Sequence, residues 1–189
     1  MWIYGKMPEI YITRKPLICK GFRDFWRLVE TMIKVLFISH GNICRSPMAE
    51  FVMRDLLKKC GLSARAEVAS AATSREELYN PVHPGTRRKL NENGISCAGK
   101  TAQLMTRRDY EDYDLLICMD DNNLRNMHRI VGGDPQGKMR KLLSYCGENR
   151  DVADPWWTGD FESTWHDVLR GCTALLNALC EEYGWTKRR

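Results

Sequence analysis

The sequence predicts an α/β protein, a three-layer α/β/α sandwich in which helices cover both faces of a central four-stranded parallel sheet. After Met32, short apolar runs alternate with amphipathic stretches, which is typical of strands and helices that follow one another in such a sheet. The run 33–39 is apolar nearly throughout, as expected for a strand that is covered on both faces. A chain of 189 residues is also long enough to bury a core in one domain.

Local signals place the individual elements. Pro47 and Pro84 suit the first turn of a helix, where no amide hydrogen is needed. Gly61 and Gly94 favour helix ends, and residues 120–123 favour a helix start. The predicted order is a strand over 33–39, a helix over 47–60, a strand over 66–71, a helix over 84–93, a strand over 113–119, a helix reaching residue 130, a strand over 138–143, a loop over 145–159 and a helix over 162–183.

Composition argues against several classes of function. Hydrophobic residues make up 43% of the chain and charged residues 28%, as in soluble globular proteins, and no apolar run is long enough to span a membrane. The net charge is +5, but Lys and Arg are scattered apart from the tail at 187–189. We therefore expect neither a membrane nor a nucleic acid as partner, and a modest attraction of anionic substrates.

The cysteines indicate a reducing environment. Eight cysteines form neither a Cys-x-x-Cys pair nor a His/Cys spacing typical of a metal site. Several, such as Cys118, lie in apolar runs, where a reduced thiol packs as a small hydrophobic side chain. This pattern predicts a cytoplasmic protein that uses no metal and no cofactor.

The first 31 residues differ from the rest of the chain. They are mixed and basic and lack the apolar block of a signal peptide. Apolar residues at helical spacing over 21–32 allow an amphipathic helix; alternatively, Met32 is the natural start and the residues before it come from an upstream reading of the gene. We expect an extension at 1–31 that is poorly ordered or non-native, a main domain at 32–185 and a basic tail at 186–189.

The loop between the first strand and the first helix predicts an anion site. Successive amide hydrogens of residues 39–45 and the positive end of the helix converge there, which suits a phosphate or sulfate. Gly41 permits the unusual backbone angles of such a turn, and Asn42 tolerates left-handed geometry. The planar guanidinium of Arg45 can donate to two phosphate oxygens at once, and a lysine could not make the same contact.

This loop resembles the signature of the low-molecular-weight protein tyrosine phosphatases, which is a cysteine, five residues, an arginine and a serine at the end of the first strand. The resemblance covers residues 32 to about 183. Further matches lie at residues 70–74 (Ser-Ala-Ala-Thr-Ser), at 118–120 (Cys-Met-Asp) with Asn123-Leu124, and at Asp154-Pro155. It implies a phosphotyrosine phosphatase I-like fold that hydrolyses phosphotyrosine in a protein, or a small aryl phosphate, through a cysteinyl-phosphate intermediate.

The resemblance also assigns roles to residues. It implies that phosphate is bound by Ser39, His40, Gly41, Asn42, Ile43, Cys44 and Arg45. Asp154 would be the general acid and then the base, although an aspartate before proline is also common in turns. Trp156 and Trp157 would line the cleft, unless they are ordinary packing residues. Asn42 and Ser46 would brace the loop.

Ser39 departs from the family pattern because it occupies the position of the nucleophilic cysteine. A serine hydroxyl is not easily ionised, and no histidine base follows it in a recognisable arrangement. His40 is adjacent in sequence, but neighbours in a tight loop usually point apart. The chain is therefore expected to be inactive or to trap substrate. Ser39 is either a cysteine-to-serine substitution made in an active phosphatase or the natural residue of a pseudophosphatase, and the sequence leaves both open.

Three smaller expectations follow from the resemblance. Cys44 is the second loop cysteine, whose protective disulfide with the nucleophile is absent when residue 39 is serine. Asn93 stands where the family often has a histidine before a glycine. The family tends to have an aromatic before the serine segment of the second strand, on the opposite wall, but this chain has Ala66 and Glu67 there, so the resemblance does not support an aromatic opposite wall.

The substrate class is indicated by one loop residue. Relatives that act on phosphoarginine tend to carry threonine at the position of Ile43, whereas isoleucine goes with phosphotyrosine. A phosphopeptide-binding module that never turns over and an arsenate reductase are the alternatives. The reductase would need further redox cysteines, and Cys97 and Cys118 do not look paired. The run 160–162 after Trp-Trp-Thr-Gly suggests a bacterial branch of the family.

Overall fold

The computed structural model describes residues 32–187. It confirms the predicted fold class, with a four-stranded parallel sheet in the order β2-β1-β3-β4 and helices on both faces. The extension at 1–31 and the last two residues of the tail lie outside the described residues. The elements are β1 (Ile33–Ser39), α1 (Arg45–Lys59), β2 (Ala66–Ala72), α2 (Pro84–Glu92), α3 (Asp109–Asp112), β3 (Leu115–Cys118), α4 (Asp121–Val131), β4 (Met139–Lys141), a 3-10 helix (Leu142–Cys146), α5 (Pro155–Thr158) and α6 (Phe161–Tyr183).

The central position of β1 brings the chemistry to one edge of the sheet. β1 pairs with β2 on one side and with β3 on the other, both parallel. Ser39 lies opposite Ala72 and Ile38 opposite Cys118, so the three strands end together. The loops that leave these ends converge on the residues that follow β1, where ligands of open parallel sheets usually bind.

Alternate side chains of β1 enter two separate cores. Val35 and Phe37 pack against α1 and α6 on one face of the sheet, and Leu36 and Ile38 pack with residues of α3 and α4 on the other. Both sets are almost fully buried, which explains why the run 33–39 is apolar without alternation.

Some elements differ from the prediction. β3 is shorter than the predicted 113–119. Just outside its paired region, Lys34 N donates a hydrogen bond to the side chain of Asp114, to Oδ2 at 2.9 Å, and not to the backbone of the neighbouring strand. The predicted end of β4 is a 3-10 helix. The loop expected over 145–159 contains α5, which begins because Asp154 caps it and Pro155 fits its first turn.

The Asp134 carboxylate organises the turn before β4. Its oxygens accept hydrogen bonds from Tyr110 Oη at 2.7 Å, Lys138 N at 2.8 Å and Met139 N at 3.0 Å. Burial by itself raises the pKa of Asp134, but these hydrogen bonds outweigh burial and hold the pKa below its usual value. The ionised carboxylate therefore ties α3 to the start of β4.

The part of the chain that the structure describes holds seven cysteines, all with free thiols. Within residues 32–187, no helix is both long and apolar enough to cross a membrane. The same residues contain no group of three His, Cys, Asp or Glu side chains that could hold a metal ion.

Candidate active site

A cleft of about 480 Å³ opens at the carboxyl edge of the sheet. The whole loop 39–45 forms its floor. Glu76 and Glu77 form one wall, and Trp156, Trp157 and residues 151–154 form the other. The structure thus brings together every residue that the sequence placed in the phosphate loop, with the acid candidate and both aromatic candidates around it.

The loop is held in a fixed shape by its neighbours. Asn42 adopts a left-handed backbone conformation with φ of 56°, as its residue type allows. The chain that leaves β2 continues the strand pairing onto the loop, since Thr73 N donates to Ser39 O at 3.0 Å and Ser74 N to His40 O at 2.9 Å. The loop then leads directly into α1, whose first residue is Arg45.

A buried network of side chains supports position 39. Ser39 Oγ lies 2.7 Å from Ser46 Oγ, and Asn42 Nδ2 donates to Ser46 Oγ and to Ser70 Oγ, each at 2.8 Å. Asn42 Oδ1 in turn accepts from Gln103 N at 3.0 Å. Because Ser46 Oγ already accepts from Asn42, its own hydrogen is available to position 39. That hydrogen bond would stabilise an anion there.

The network ends in an ion pair that the sequence did not predict. Ser70 Oγ donates to Glu50 Oε2 at 2.5 Å, and Lys100 Nζ lies 2.9 Å from the same oxygen. Glu50 is only 2% exposed, and Arg54 pairs with its other oxygen at 2.7 Å. The only sequence signal was a glutamate on the buried side of α1, which seldom occurs without a partner.

Asn93 takes no part in this network. Its Nδ2 donates to Lys89 O at 3.0 Å at the exposed end of α2. The network is therefore altered at this point, as expected, and Lys100 is the residue that reaches it. Lys100 lies in the segment after α2, which turns back beside β2 so that its Nζ also donates to Ser70 O at 3.0 Å.

Arg45 joins the two loops that flank the cleft. It is only 3% exposed, and its Nη1 donates to Asp120 Oδ2 at 2.6 Å and to Val152 O at 3.1 Å. Its Nη2 donates to Asp154 Oδ2 at 2.6 Å. The guanidinium is thus fixed by the residue that caps α4 and by the residue that caps α5.

Asp154 and the two tryptophans share the short helix α5. Asp154 Oδ1 accepts from Trp156 N at 3.2 Å, which sets the direction of this helix at the rim. Trp156 and Trp157 are 52% and 83% exposed, and both line the cleft. The His83 ring lies 5.8 Å from the Trp156 ring and packs against it edge to face.

The opposite wall is acidic, not aromatic. Ala66 and Glu67 lie at the start of β2, at the far end of the sheet from the loop, so they do not form this wall. Glu76 and Glu77 stand there, in the turn after β2. The physical reason is the parallel pairing, which places only residues after the strand beside the loop.

The side chains of His40 and Cys44 point to different roles. His40 Nε2 pairs with Glu76 Oε2 at 3.0 Å at the half-exposed rim, and within residues 32–187 the hydrogen-bond partner of Ser39 Oγ is Ser46, not His40. Burial and the charge of Asp154 raise the pKa of the Cys44 thiol to about 12. Cys44 therefore stays a protonated thiol at neutral pH.

Comparison with known proteins identifies the family. The model of the low molecular weight phosphotyrosine protein phosphatases matches residues 34–184. The chain belongs to this family. The low molecular weight protein-tyrosine-phosphatase YfkJ of Bacillus subtilis is 38% identical over 153 residues, which cover 80% of this chain and 98% of YfkJ. PtpA of Staphylococcus epidermidis is 37% identical over 158 residues, covering 83% of this chain and 100% of PtpA.

Solved structures of family members show the same fold. The crystal structure of YfkJ has a TM-score of 0.78 and covers 80% of this chain and 97% of its own. SP-PTP of Streptococcus pyogenes, at 37% identity, has a TM-score of 0.71 and covers 78% of this chain and 93% of its own. Family membership therefore extends over the sheet and all the loops of the cleft, while the roles of individual residues stay predictions.

Proposed function

We propose that this chain binds phosphotyrosine in the cleft without turning it over, and that the same scaffold hydrolyses phosphotyrosine when residue 39 is cysteine. The observation that carries the proposal is the network around Ser39. It presents the Ser46 hydroxyl, 2.7 Å away, to a position that holds no ionisable group. The ligand is a phosphotyrosine-containing protein or a small aryl phosphate, with free phosphate or sulfate as a weaker occupant of the loop, in the cytoplasm.

Binding uses the loop and Arg45. The amides of residues 40–45 and the positive end of α1 would hold the phosphate oxygens, while Arg45 supplies two parallel donors. The phenyl ring would then lie against Trp156 and Trp157, a flat apolar wall that suits an aromatic group. Isoleucine at position 43 favours this ring over phosphoarginine.

Hydrolysis would follow when a thiolate stands at position 39. The sulfur attacks phosphorus in line, the bond from phosphorus to the phenolic oxygen breaks, and Asp154 donates its proton to that oxygen. Water then attacks the cysteinyl phosphate, Asp154 takes a proton from the water, and the phosphorus–sulfur bond breaks. Inorganic phosphate leaves, and the thiolate is restored. Arg45 and the loop amides stabilise the equatorial oxygens in both steps.

Ser39 stops this cycle at the first step. A thiol of pKa about 8.5 is readily ionised by a helix N-terminus and an arginine, whereas a serine hydroxyl is not. A serine nucleophile therefore needs a base beside it, and His40 is turned to Glu76 instead. Cys44 cannot substitute, because its thiol is buried and protonated.

Hydrolysis of p-nitrophenyl phosphate tests the proposal. We expect background rates from the native chain and from Ser39→Ala, and clear turnover from Ser39→Cys that falls again in Ser39→Cys/Asp154→Asn. Calorimetric titration of the native chain with inorganic phosphate and phosphotyrosine should show binding that Arg45→Met removes.

Two results would contradict the proposal in different ways. If Ser39→Cys stays inactive at saturating substrate, the scaffold is not that of a working phosphatase. If the native chain turns over and Ser39→Ala does not, Ser39 is itself a nucleophile and the chain is not silent.

A further inference from the structure

We propose that the cleft selects phosphotyrosine flanked by lysine or arginine, through the carboxylates of Glu76 and Glu77. This inference rests on the proposed function and adds the chemistry of the partner. The partner is a protein segment in which a basic residue directly precedes or follows the phosphotyrosine.

The cleft carries an excess of negative charge. Arg45 is the one Lys or Arg among the described residues that line it, whereas five carboxylates line it. Three of the five are already compensated. Asp120 and Asp154 both pair with Arg45, and Asp151 pairs with Lys141 at 2.8 Å.

The two remaining carboxylates, Glu76 and Glu77, stand side by side on one wall. Within residues 32–187 neither has a Lys or Arg partner within 4.0 Å; Glu76 pairs with His40, and Glu77 accepts from Asn80 Nδ2 at 2.7 Å. Arg75 precedes them in sequence but is not among the residues that line the cleft. The excess negative charge is therefore local to this wall, although the chain as a whole has a net charge of +5.

This wall is positioned firmly against the phosphate loop. The stem of Glu77 packs on Gly41 so closely that a Cβ at Gly41 would lie 2.9 Å from Glu77 Cγ. The backbone just before the wall is hydrogen-bonded to Ser39 and His40. A ligand held by the loop therefore has this wall directly beside its phosphate.

An unpaired acceptor in the same cleft points to the same kind of ligand. Asn123 lines the cleft and is only 1% exposed, yet its Oδ1 has no hydrogen-bond partner among the described residues. A buried acceptor without a donor is unfavourable, so a ligand that brings an N–H group gains by filling it.

The position of the two walls explains how the cleft would select the residues next to the phosphotyrosine in the ligand. With the phosphate on the loop and the ring against Trp156, the peptide must leave the cleft over the rim that Glu76 and Glu77 form. A lysine or arginine next to the phosphotyrosine can reach these carboxylates, whereas an aspartate or glutamate there is repelled. The effect should be strongest at low salt, because the rim is exposed.

Peptide binding by the native chain, read from the fluorescence of its tryptophans, tests the inference. Three phosphotyrosine peptides of equal length carry lysine, alanine or glutamate on both sides of the phosphotyrosine. We expect the lysine peptide to bind roughly tenfold more tightly than the glutamate peptide at low salt, as two exposed charge pairs allow. The ratio should shrink in 0.5 M salt, chosen to screen the rim.

Variants locate the effect. Glu76→Lys/Glu77→Lys should reverse the order of the lysine and glutamate peptides, a gain that misfolding cannot produce. Glu181→Gln/Glu182→Gln, on the exposed end of α6, should keep the native ratio. Equal affinity for the charged peptides, or a native ratio in the Glu76→Lys/Glu77→Lys chain, would overturn the selection. If the alanine peptide binds and the ratio is one, only this inference is wrong; if no peptide binds, the proposed function is wrong as well.

Discussion

Replacement of Asn42 separates its two roles in the loop, which are the hydrogen bonds of its side chain and the left-handed conformation of its backbone. Its side chain makes three buried hydrogen bonds, with Ser46, Ser70 and Gln103. At about 1 kcal/mol each, their loss should cost about 3 kcal/mol of unfolding free energy. Its backbone has φ of 56°, a region that costs alanine about 1 kcal/mol more than glycine. We therefore expect Asn42→Ala to lose about 4 kcal/mol and Asn42→Gly about 3 kcal/mol.

Equilibrium urea unfolding measures both differences. Tyr79 is the matched control, because it has φ of 69° but an exposed side chain without buried hydrogen bonds. Tyr79→Gly should again be more stable than Tyr79→Ala by about 1 kcal/mol, without the larger loss seen at Asn42. The reasoning would be refuted if Asn42→Ala lost less than about 1 kcal/mol, or if glycine were worse than alanine at both positions.

Three further perturbations test the support of the fold. Lys100→Met and Arg54→Met each leave the buried Glu50 carboxylate with one cation, but the Lys100 side chain is 13% exposed and that of Arg54 is 48% exposed. Lys100→Met should therefore cost about 2–3 kcal/mol in urea unfolding, and Arg54→Met, whose pair is screened by water, less than about 1 kcal/mol. Gly171→Ala should lower the melting temperature, since its Cβ would lie 2.5 Å from Leu142 Cγ and overpacking outweighs the better helix propensity. The pKa of Asp134 is lower in the folded protein than in the unfolded chain. Its ionised carboxylate therefore adds to the unfolding free energy above the unfolded pKa of about 3.9, and this stabilisation is lost as pH falls through the folded pKa. The stability gap between the native chain and Asp134→Asn, measured by urea unfolding, should therefore be constant above about pH 5 and narrow below about pH 4; a gap that widens in acid would contradict this sign.

Much of the fold could be predicted because the signals were local. The strand at 33–39 and the helices that begin near Pro47 and Pro84 depend on apolar runs, prolines and glycines close together in sequence. The short helix α5 could also have been predicted, since an aspartate followed by proline is a helix start as well as a turn. Four residues are too few to show a helical period, so this signal was the only one available for α5.

The residues of the candidate site could be predicted where they lie in one continuous segment. They could not be predicted where the site depends on contacts between segments that are far apart in sequence. The phosphate loop is contiguous, so its residues could be read together. The ion pair of Glu50 with Lys100 joins α1 to a segment 50 residues later, and no pattern in either segment encodes the other. The predicted parallel sheet already places the residues after β2 beside the loop, but no pattern in residues 73–77 shows that Glu76 and Glu77 turn towards the cleft.

The grip of two carboxylates on Arg45 has a consequence for how tightly the protein can hold any anion. Both are at 2.6 Å from the guanidinium, so an incoming phosphate meets a cation whose charge Asp154 and Asp120 already balance, and it binds through the remaining N–H donors. The net gain is therefore smaller than that of a new ion pair. The release of inorganic phosphate should be correspondingly fast, because the two carboxylates stay beside the guanidinium and keep its charge balanced when the phosphate leaves.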